Sequence, residues 1–398
     1  MSPASRPEHG GRAVPGGLQG GDGLKIAIVA ESFEVARGGA ERCADGLARA
    51  LEARGHAVSR IARDQRRGRL AGAIGLAREA AIARDANDLV VSLGKAPGDV
   101  LIPQGGVHLA TLAASLARHD PAGRAALWLG KLLSPKQWAF LAIERAQYGR
   151  PGARLVALSR MVRDDMVRFC GARGDDIFIC PNGVDCVHFQ PPTPDERAAS
   201  RQTLGAREED LVFAFVSHNF KLRGLGQLIR ALAQARSSIA RGTLKLVVVG
   251  RGDSRGPHEL ARSLGLEARF VGEVEDVRPF LKAADLFALP TLYDPCSLAT
   301  LEALACGLPV VTTRRNGATE LFEESAGVAI EDPRDLQAMT AAIVSFFDPG
   351  RRREAAAAAR EAALRNPADR AFVRQVEVVE TAVPVLPRGS ADEVAIGS

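Results

Sequence analysis

The chain has 398 residues, 46% of them hydrophobic and 25% charged. That is the balance of a globular protein, and the length suits two or three domains at about 150 residues each. It excludes a disordered or fibrous chain. The 52 Lys and Arg against 47 Asp and Glu leave +5, too thin a surplus to argue for nucleic acid, although it favours weak attraction to anionic surfaces. Six cysteines (Cys43, Cys170, Cys180, Cys186, Cys296, Cys306) are scattered with no CxxC pair, which reads as reduced, mostly buried thiols of a cytoplasmic protein. No apolar run reaches the roughly 18–20 residues of a spanning helix.

Residues 1–23 are rich in Gly, Pro and Ser and lack the apolar stretch of a signal peptide, so a disordered leader is expected. Order begins at 25–30, an apolar run that fits a strand buried on both faces. Residues 39–54 follow as a helix with Ala44, Leu47, Ala48 and Leu51 on one stripe. Further strands are expected at 89–93, 100–103, 155–158 and 177–180, with helical segments between them. Gln190-Pro191-Pro192-Thr193-Pro194 reads as a linker. A second series then has strands at 211–216, 244–249, 269–271, 286–289, 310–312 and 328–330, and helices at 225–240 and 298–306. Two βα series of this kind predict an α/β protein of two doubly wound, Rossmann-like domains, 24–190 and 191–364, facing a cleft. An Ala/Arg/Glu-rich helix at 351–364 closes the second, with a less regular stretch to 385. Residues 365–398 are expected to form a C-terminal helix or tail that crosses back to the first domain.

The most informative stretch runs from Tyr293-Asp294-Pro295-Cys296-Ser297-Leu298 through Glu302 to Gly307. Asp294 is placed on a loop at the carboxyl end of a strand, where open α/β sheets bind ligands. A helix opens near Ser297, and Glu302 lies inside it. The first-turn amides from Ser297 and Leu298 onward can donate while the two carboxylates accept from vicinal hydroxyls, a combination that suits a sugar. The residues alone leave open a helix-end charge at Asp294 and a surface acid at Glu302. The stretch resembles the Glu-x7-Glu signature of the family 4 retaining glycosyltransferases, which have the GT-B fold. The resemblance implies that Glu302 binds the ribose of a nucleotide and that Asp294, one methylene shorter than the family's first Glu, contacts the transferred sugar.

Other segments match that family's order. Arg37-Gly38-Gly39-Ala40-Glu41-Arg42 resembles its glycine-rich loop, where Gly38 and Gly39 would admit a diphosphate or acceptor to the backbone. Cys180-Pro181-Asn182-Gly183-Val184-Asp185 resembles the segment leading to the interdomain hinge, around which closure would exclude water. His218-Asn219-Phe220-Lys221-Leu222-Arg223 stands where the family has two cations on the donor diphosphate, so Lys221 and Arg223 are taken as the clamp, with Lys221 expected to matter far more than Arg42. A solvated basic turn would look the same. Gly250 ends a strand near the expected nucleotide base. Arg315-Asn316-Gly317 resembles a loop over the phosphates, which would give Asn316 and Gly317 to the donor. No Asp-x-Asp occurs in the chain, so no metal and no cofactor besides the nucleotide-sugar donor is expected, and side chains and helix ends would neutralise the leaving diphosphate.

Pro103-Gln104-Gly105-Gly106-Val107-His108 enters a helix of the first domain, and His108 is the candidate catalytic or positioning group on the acceptor side. Both tryptophans, Trp128 and Trp138, lie among leucines and lysines at 127–140. Such a mixture suits a membrane interface or an ordinary packed helix. This region, with the stretch to 159, resembles the lipopolysaccharide-core subgroup of the family, which implies peripheral contact of 122–145 with anionic inner-leaflet lipid. Arg60, Arg63, Arg66, Arg67 and Arg69 would assist. The resemblance implies a metal-independent, retaining transferase moving a hexose, glucose from UDP-glucose, to a lipopolysaccharide-core or other lipid-linked acceptor, with the departing diphosphate taking the acceptor's proton. A GT-B-type sugar-nucleotide epimerase, a transferase with a soluble acceptor, and a nucleotide-sugar-binding scaffold stay open.

Overall fold

The computed structural model describes residues 23–35, 38–66, 68–116 and 121–382. Residues 1–22 of the expected leader, and 383–398, lie outside the described residues. The first half contains β1 (Lys25–Ala30), α1 (Gly39–Ala53), β2 (Ala57–Ala62), α2 (Arg69–Ala86), β3 (Leu89–Ser92) and β4 (Val100–Leu101). Then come α3 (His108–Leu116), α4 (Pro121–Leu132), α5 (Pro135–Tyr148), β5 (Arg154–Ala157), α6 (Arg160–Cys170) and β6 (Ile177–Ile179). Its six strands are all parallel, in the order β2-β1-β3-β4-β5-β6. Ile26, Ile28 and Val29 of β1 are fully buried, which is why that strand is an unbroken apolar run.

The second half contains α7 (Pro194–Leu204), β7 (Leu211–Val216), α8 (Leu225–Ala235), β8 (Leu244–Val249), α9 (Arg255–Ser263), β9 (Glu267–Gly272), α10 (Arg278–Ala283) and β10 (Leu286–Leu289). It ends with α11 (Leu298–Ala305), β11 (Val310–Thr313), β12 (Gly327–Ile330), α12 (Leu336–Ser345), α13 (Pro349–Leu364) and α14 (Ala368–Glu380). Its parallel sheet has the order β12-β11-β10-β7-β8-β9, the strand order of a dinucleotide-type Rossmann sheet. The strand order reverses between β1 and β3 in one sheet and between β7 and β10 in the other, and ligands of such sheets bind in the crevice at that reversal.

Three expectations need correction. β2 was not read as a strand because it is an edge strand with polar, exposed positions such as Ser59 and Arg60. Pro194, read as linker, is the first residue of α7. The Thr193 hydroxyl accepts from Glu196 N (3.2 Å) while the Glu196 carboxylate accepts from Thr193 N (2.9 Å), a reciprocal cap that starts the helix at once. The stretch after 364 is not irregular, since α14 is a 13-residue helix burying Ala371, Val376, Val378 and Val379.

The two halves are joined at more than the linker. Val184 and Pro367 form a bridge, with Val184 N donating to Asn366 O (3.1 Å) and Ala368 N to Val184 O (3.0 Å). From there α14 packs on α1. The Phe372 ring lies against Gly46, and Glu380 faces His56 (3.3 Å) and Arg54 (3.9 Å). The Glu320 carboxylate of the second half accepts from the Arg160 and Met161 amides (2.9 and 3.2 Å) at the start of α6, a favourable place for negative charge. Tyr293 OH accepts from Val107 N (3.3 Å).

Gly317 sits in this seam. A Cβ there would fall against the Pro295 carbonyl oxygen and within 2.6 Å of Ser159 Cβ, tighter than packing tolerates. Gly317→Ala should therefore lower stability by about 1–3 kcal/mol through overpacking, read as a lowered denaturant midpoint. An unchanged midpoint would show that the seam opens freely.

Buried Asp210, just before β7, accepts from Arg207 N (2.9 Å), Thr243 N (3.0 Å) and Thr243 Oγ1 (2.9 Å), and pairs with Arg207 (2.9 Å). These donors hold its carboxyl well below the usual range despite burial. A lowered folded pKa gives stability that is present above the unfolded value near 4 and is lost as pH falls through the folded one. Asp210→Asn should therefore cost about 1–3 kcal/mol at neutral pH and flatten the acid limb of an unfolding profile. An unaltered acid limb would remove Asp210 from that role.

Candidate active site

The loops at the carboxyl ends of both sheets meet in a cleft. From the second half come Ser217, His218, Asn219 and Arg223 after β7, Gly250 after β8, and Asp294, Ser297, Leu298, Ala299 and Glu302 after β10. Gly38, Gly39 and Arg42 face them from the first half around a cavity of about 300 Å³. The approach is close: a Cβ on Gly39 would come within 2.7 Å of Leu298 Cδ1. A side chain at Gly39 would have to displace the Leu298 terminal methyl, so the start of α1 faces the start of α11 closely.

Arg223 Nη1 pairs with Asp294 Oδ2 (2.9 Å) and donates to Thr291 Oγ1 (3.1 Å) and to the Tyr293 carbonyl. Asp294 is 7% exposed, and burial pushes its carboxyl up while Arg223 opposes the shift. Glu302 is equally enclosed, raised by burial and opposed chiefly by Arg42, with which it forms an ion pair across the cleft. The Ser297 hydroxyl caps α11 by accepting from Thr300 N (3.2 Å), and the first-turn amides of Leu298 and Ala299 have no acceptor within the helix. Two acids, two arginines and a helix N-terminus thus converge on one cavity.

Several expected site residues are placed differently. Lys221 is exposed and is not among the residues around the cavity. Arg42, expected to matter far less than Lys221, pairs with Glu302. Asn316 is fully buried, donating to Thr300 Oγ1 (3.0 Å) and Thr312 Oγ1 (3.1 Å) and accepting from Ser297 N (3.3 Å) and Ala318 N (3.1 Å). It braces α11 and has no capacity left for phosphate. Gly317 sits in the seam described above, and its N–H donates to the Asp294 carbonyl (2.8 Å). Of the basic run, Arg60 pairs with Glu52 (2.6 Å) and Arg63 with Glu31 (2.5 Å), which neutralises both. Arg67 lies outside the described residues.

A second cavity of about 320 Å³ adjoins the first, at the reversal between β1 and β3. Its wall includes Glu31, Lys95, Gln104, His108, Phe140 and Glu144. His108 lies here, but both ring nitrogens are held. Nδ1 faces the Lys95 ammonium (2.9 Å), and Nε2 faces Gln137 Oε1 (2.8 Å). An ammonium and an amide oxygen fix the neutral form with hydrogen on Nε2, and burial with Lys95 lowers the ring's pKa. His108 positions its neighbours and has no free nitrogen for a proton transfer. Lys95 also lies over the Phe140 ring (4.2 Å). Lys95 and Glu144 carried no motif signal, since nothing in a sequence tells a solvated Lys or Glu from one folded inward. Among the described residues no three His, Cys, Asp or Glu side chains converge as a metal site.

The fold and the cleft define a two-domain GT-B protein, as do the solved structures it resembles. One is WaaG, a glycosyltransferase involved in lipopolysaccharide biosynthesis (TM-score 0.75, 23% identity, 89% of this chain and 99% of that one). Another is Anabaena HepE in complex with UDP and glucose (TM-score 0.63, 20% identity, 90% and 99%). Residues 210–348 match the family of group 1 glycosyl transferases, and the chain carries a group 1 glycosyltransferase domain. It is 29% identical over 234 residues to a GDP-mannose-dependent phosphatidylinositol monomannoside mannosyltransferase of Corynebacterium glutamicum, covering 56% of this chain and 61% of that protein. It is 31% identical over 239 residues to D-inositol 3-phosphate glycosyltransferase of Xylanimonas cellulosilytica, covering 56% of each. The matched stretch is less than two thirds of either relative's length.

Proposed function

We propose that this chain is a retaining hexosyltransferase that holds a nucleoside-diphosphate sugar in the interdomain cleft and transfers the sugar to a glycan seated in the adjoining cavity. The observation that carries this reading is the meeting of Arg223, Asp294 and Glu302 at the N-terminus of α11, opposite Gly38 and Gly39. In this reading Glu302 accepts from ribose hydroxyls and Asp294 from the transferred hexose, while Arg223 and the amides at Leu298 and Ala299 stabilise charge on the departing diphosphate without a metal. UDP-glucose is the proposed donor, supported by the solved neighbour that holds UDP and glucose. GDP-mannose is the second candidate, because a sequence relative uses it. Incubation of the purified protein with UDP-, GDP- and ADP-sugars, reading nucleotide release, tests the reading. Release from none of them would overturn it.

The proposed acceptor is lipid-linked, of the lipopolysaccharide-core kind, as the name of the WaaG neighbour suggests. The first half supports this with exposed apolar side chains on and between α4 and α5. Leu129 is 60% exposed, Leu133 75% and Trp138 56%, with Trp128, Lys131 and Lys136 nearby. Exposed rings and leucines with basic side chains close by in the chain suit the headgroup layer of an anionic bilayer at its cytoplasmic surface. Among the described residues no helix is long and apolar enough to cross a membrane. The protein should float with phosphatidylglycerol vesicles and less so at high salt, and Leu133→Ser with Trp138→Ser should lose most of that binding. Equal flotation of the double variant would reject this face.

A further inference from the structure

We infer that His218 binds the donor, by giving its Nε2–H to an oxygen of the diphosphate. The inference rests on the reading of the interdomain cleft as the nucleotide-sugar site. His218 follows β7 on the same loop as Arg223, and its exposed side chain stands on the wall of the cleft cavity.

Which ring nitrogen carries the hydrogen follows from the backbone. The Arg251 amide can only donate, and it donates to His218 Nδ1 (3.3 Å), so the neutral ring has its hydrogen on Nε2. Partial burial, and then the Arg251 guanidinium, lower the pKa of the ring, which keeps it neutral at neutral pH. On its free side the ring faces the first half: a Cβ on Gly38 would lie 3.5 Å from both Nε2 and Cδ2. Glycine leaves that space open, and Gly38 lines the same cavity. Among the described residues nothing accepts from Nε2. The ring therefore offers the cleft one fixed donor and no acceptor, which matches a ligand atom that only accepts. Phosphate oxygens are of this kind, whereas sugar hydroxyls also give, and the carboxylates of Glu302 and Asp294 are there to receive from them. The cations of the cavity are partly spent on those two acids, Arg42 on Glu302 and Arg223 on Asp294. A neutral donor adds to the hold on the diphosphate without another charge to desolvate.

Calorimetry on the full chain with UDP and GDP tests this, together with saturation-transfer NMR on uridine, which lacks the phosphates. His218→Phe keeps a ring and removes the N–H. It should weaken binding of whichever diphosphate wild type takes by about 10-fold, the worth of one hydrogen bond to a charged group, and leave the uridine signal within about 2-fold. If uridine is invisible even with wild type, the diphosphate carries the affinity and the loss reads on it directly. His218→Gln supplies an amide N–H at similar reach and should recover most of the affinity, which a ring needed only for shape would not allow. Melting temperatures should stay level, since the side chain is exposed. Nucleotide binding untouched in His218→Phe, an equal loss for uridine, or no recovery in His218→Gln overturns the inference alone. Absence of UDP and GDP binding in wild type overturns the donor reading and the inference with it.

Discussion

Replacing Glu302 with Gln is expected to weaken binding of the donor nucleotide by about 10- to 100-fold, the loss of hydrogen bonds to a charged acceptor, and to reduce transfer at least as much. The fold should hardly notice. Glu302 is enclosed, but its partner Arg42 is 38% exposed and can be solvated when the carboxylate is gone. Calorimetry with UDP and GDP alongside thermal melts separates the two effects, and full nucleotide affinity in a folded variant would remove Glu302 from the site. Because burial raises the Glu302 pKa, a contact that needs the carboxylate should begin to fail at a higher pH than an ordinary glutamate would give, as pH falls from neutral. The same raised value has the opposite consequence for folding: it favours the native state below the unfolded pKa near 4.3, and that support is withdrawn as pH rises through the folded value.

Arg223→Ala should lower turnover by about 10²–10³, the typical loss for one donor to developing charge. It should also destabilise, because Asp294 is left buried without its counter-charge. Arg223→Lys separates these roles: it restores a cation beside Asp294 and hence stability, but lacks the guanidinium Nε and Nη2, which the Nη1 contacts to Asp294, Thr291 and the Tyr293 carbonyl leave available for a bidentate hold on a diphosphate. Turnover should stay low in the lysine variant. Lys221→Ala should change turnover by no more than about 2-fold, as for a solvated surface charge. A large effect at Lys221 with a small one at Arg223 would reverse the assignment of the clamp.

The sheets were legible because parallel strands buried on both faces leave unbroken apolar runs, and those of β1, β3, β7, β8 and β10 end at loops that line a cavity. β2 escaped because an edge strand facing water has no such run. The motif around Asp294 and Glu302 stood out only through its resemblance to a family signature, since a helix-end charge and a surface acid would leave the same residues in the sequence. Asn316 misled for a physical reason: a buried bracing amide and a phosphate-binding amide are the same residue in the same kind of loop, and only the four partners of Asn316 distinguish them. Arg42 was hidden because its role depends on a neighbour far away in the chain. The Arg42 guanidinium meets a carboxylate 260 positions later.

The return of α14 onto α1 has a consequence for anyone recombining this protein with a related one. A chimera cut once, within the proline-rich connection, would give the first half a foreign closing helix, and the face of α1 around Gly46 would meet a side chain it was not shaped for. An exchange of donor specificity therefore needs two junctions, one near residue 190 and one near 366, so that the terminal segment travels with the half it covers rather than with the half it follows in the gene.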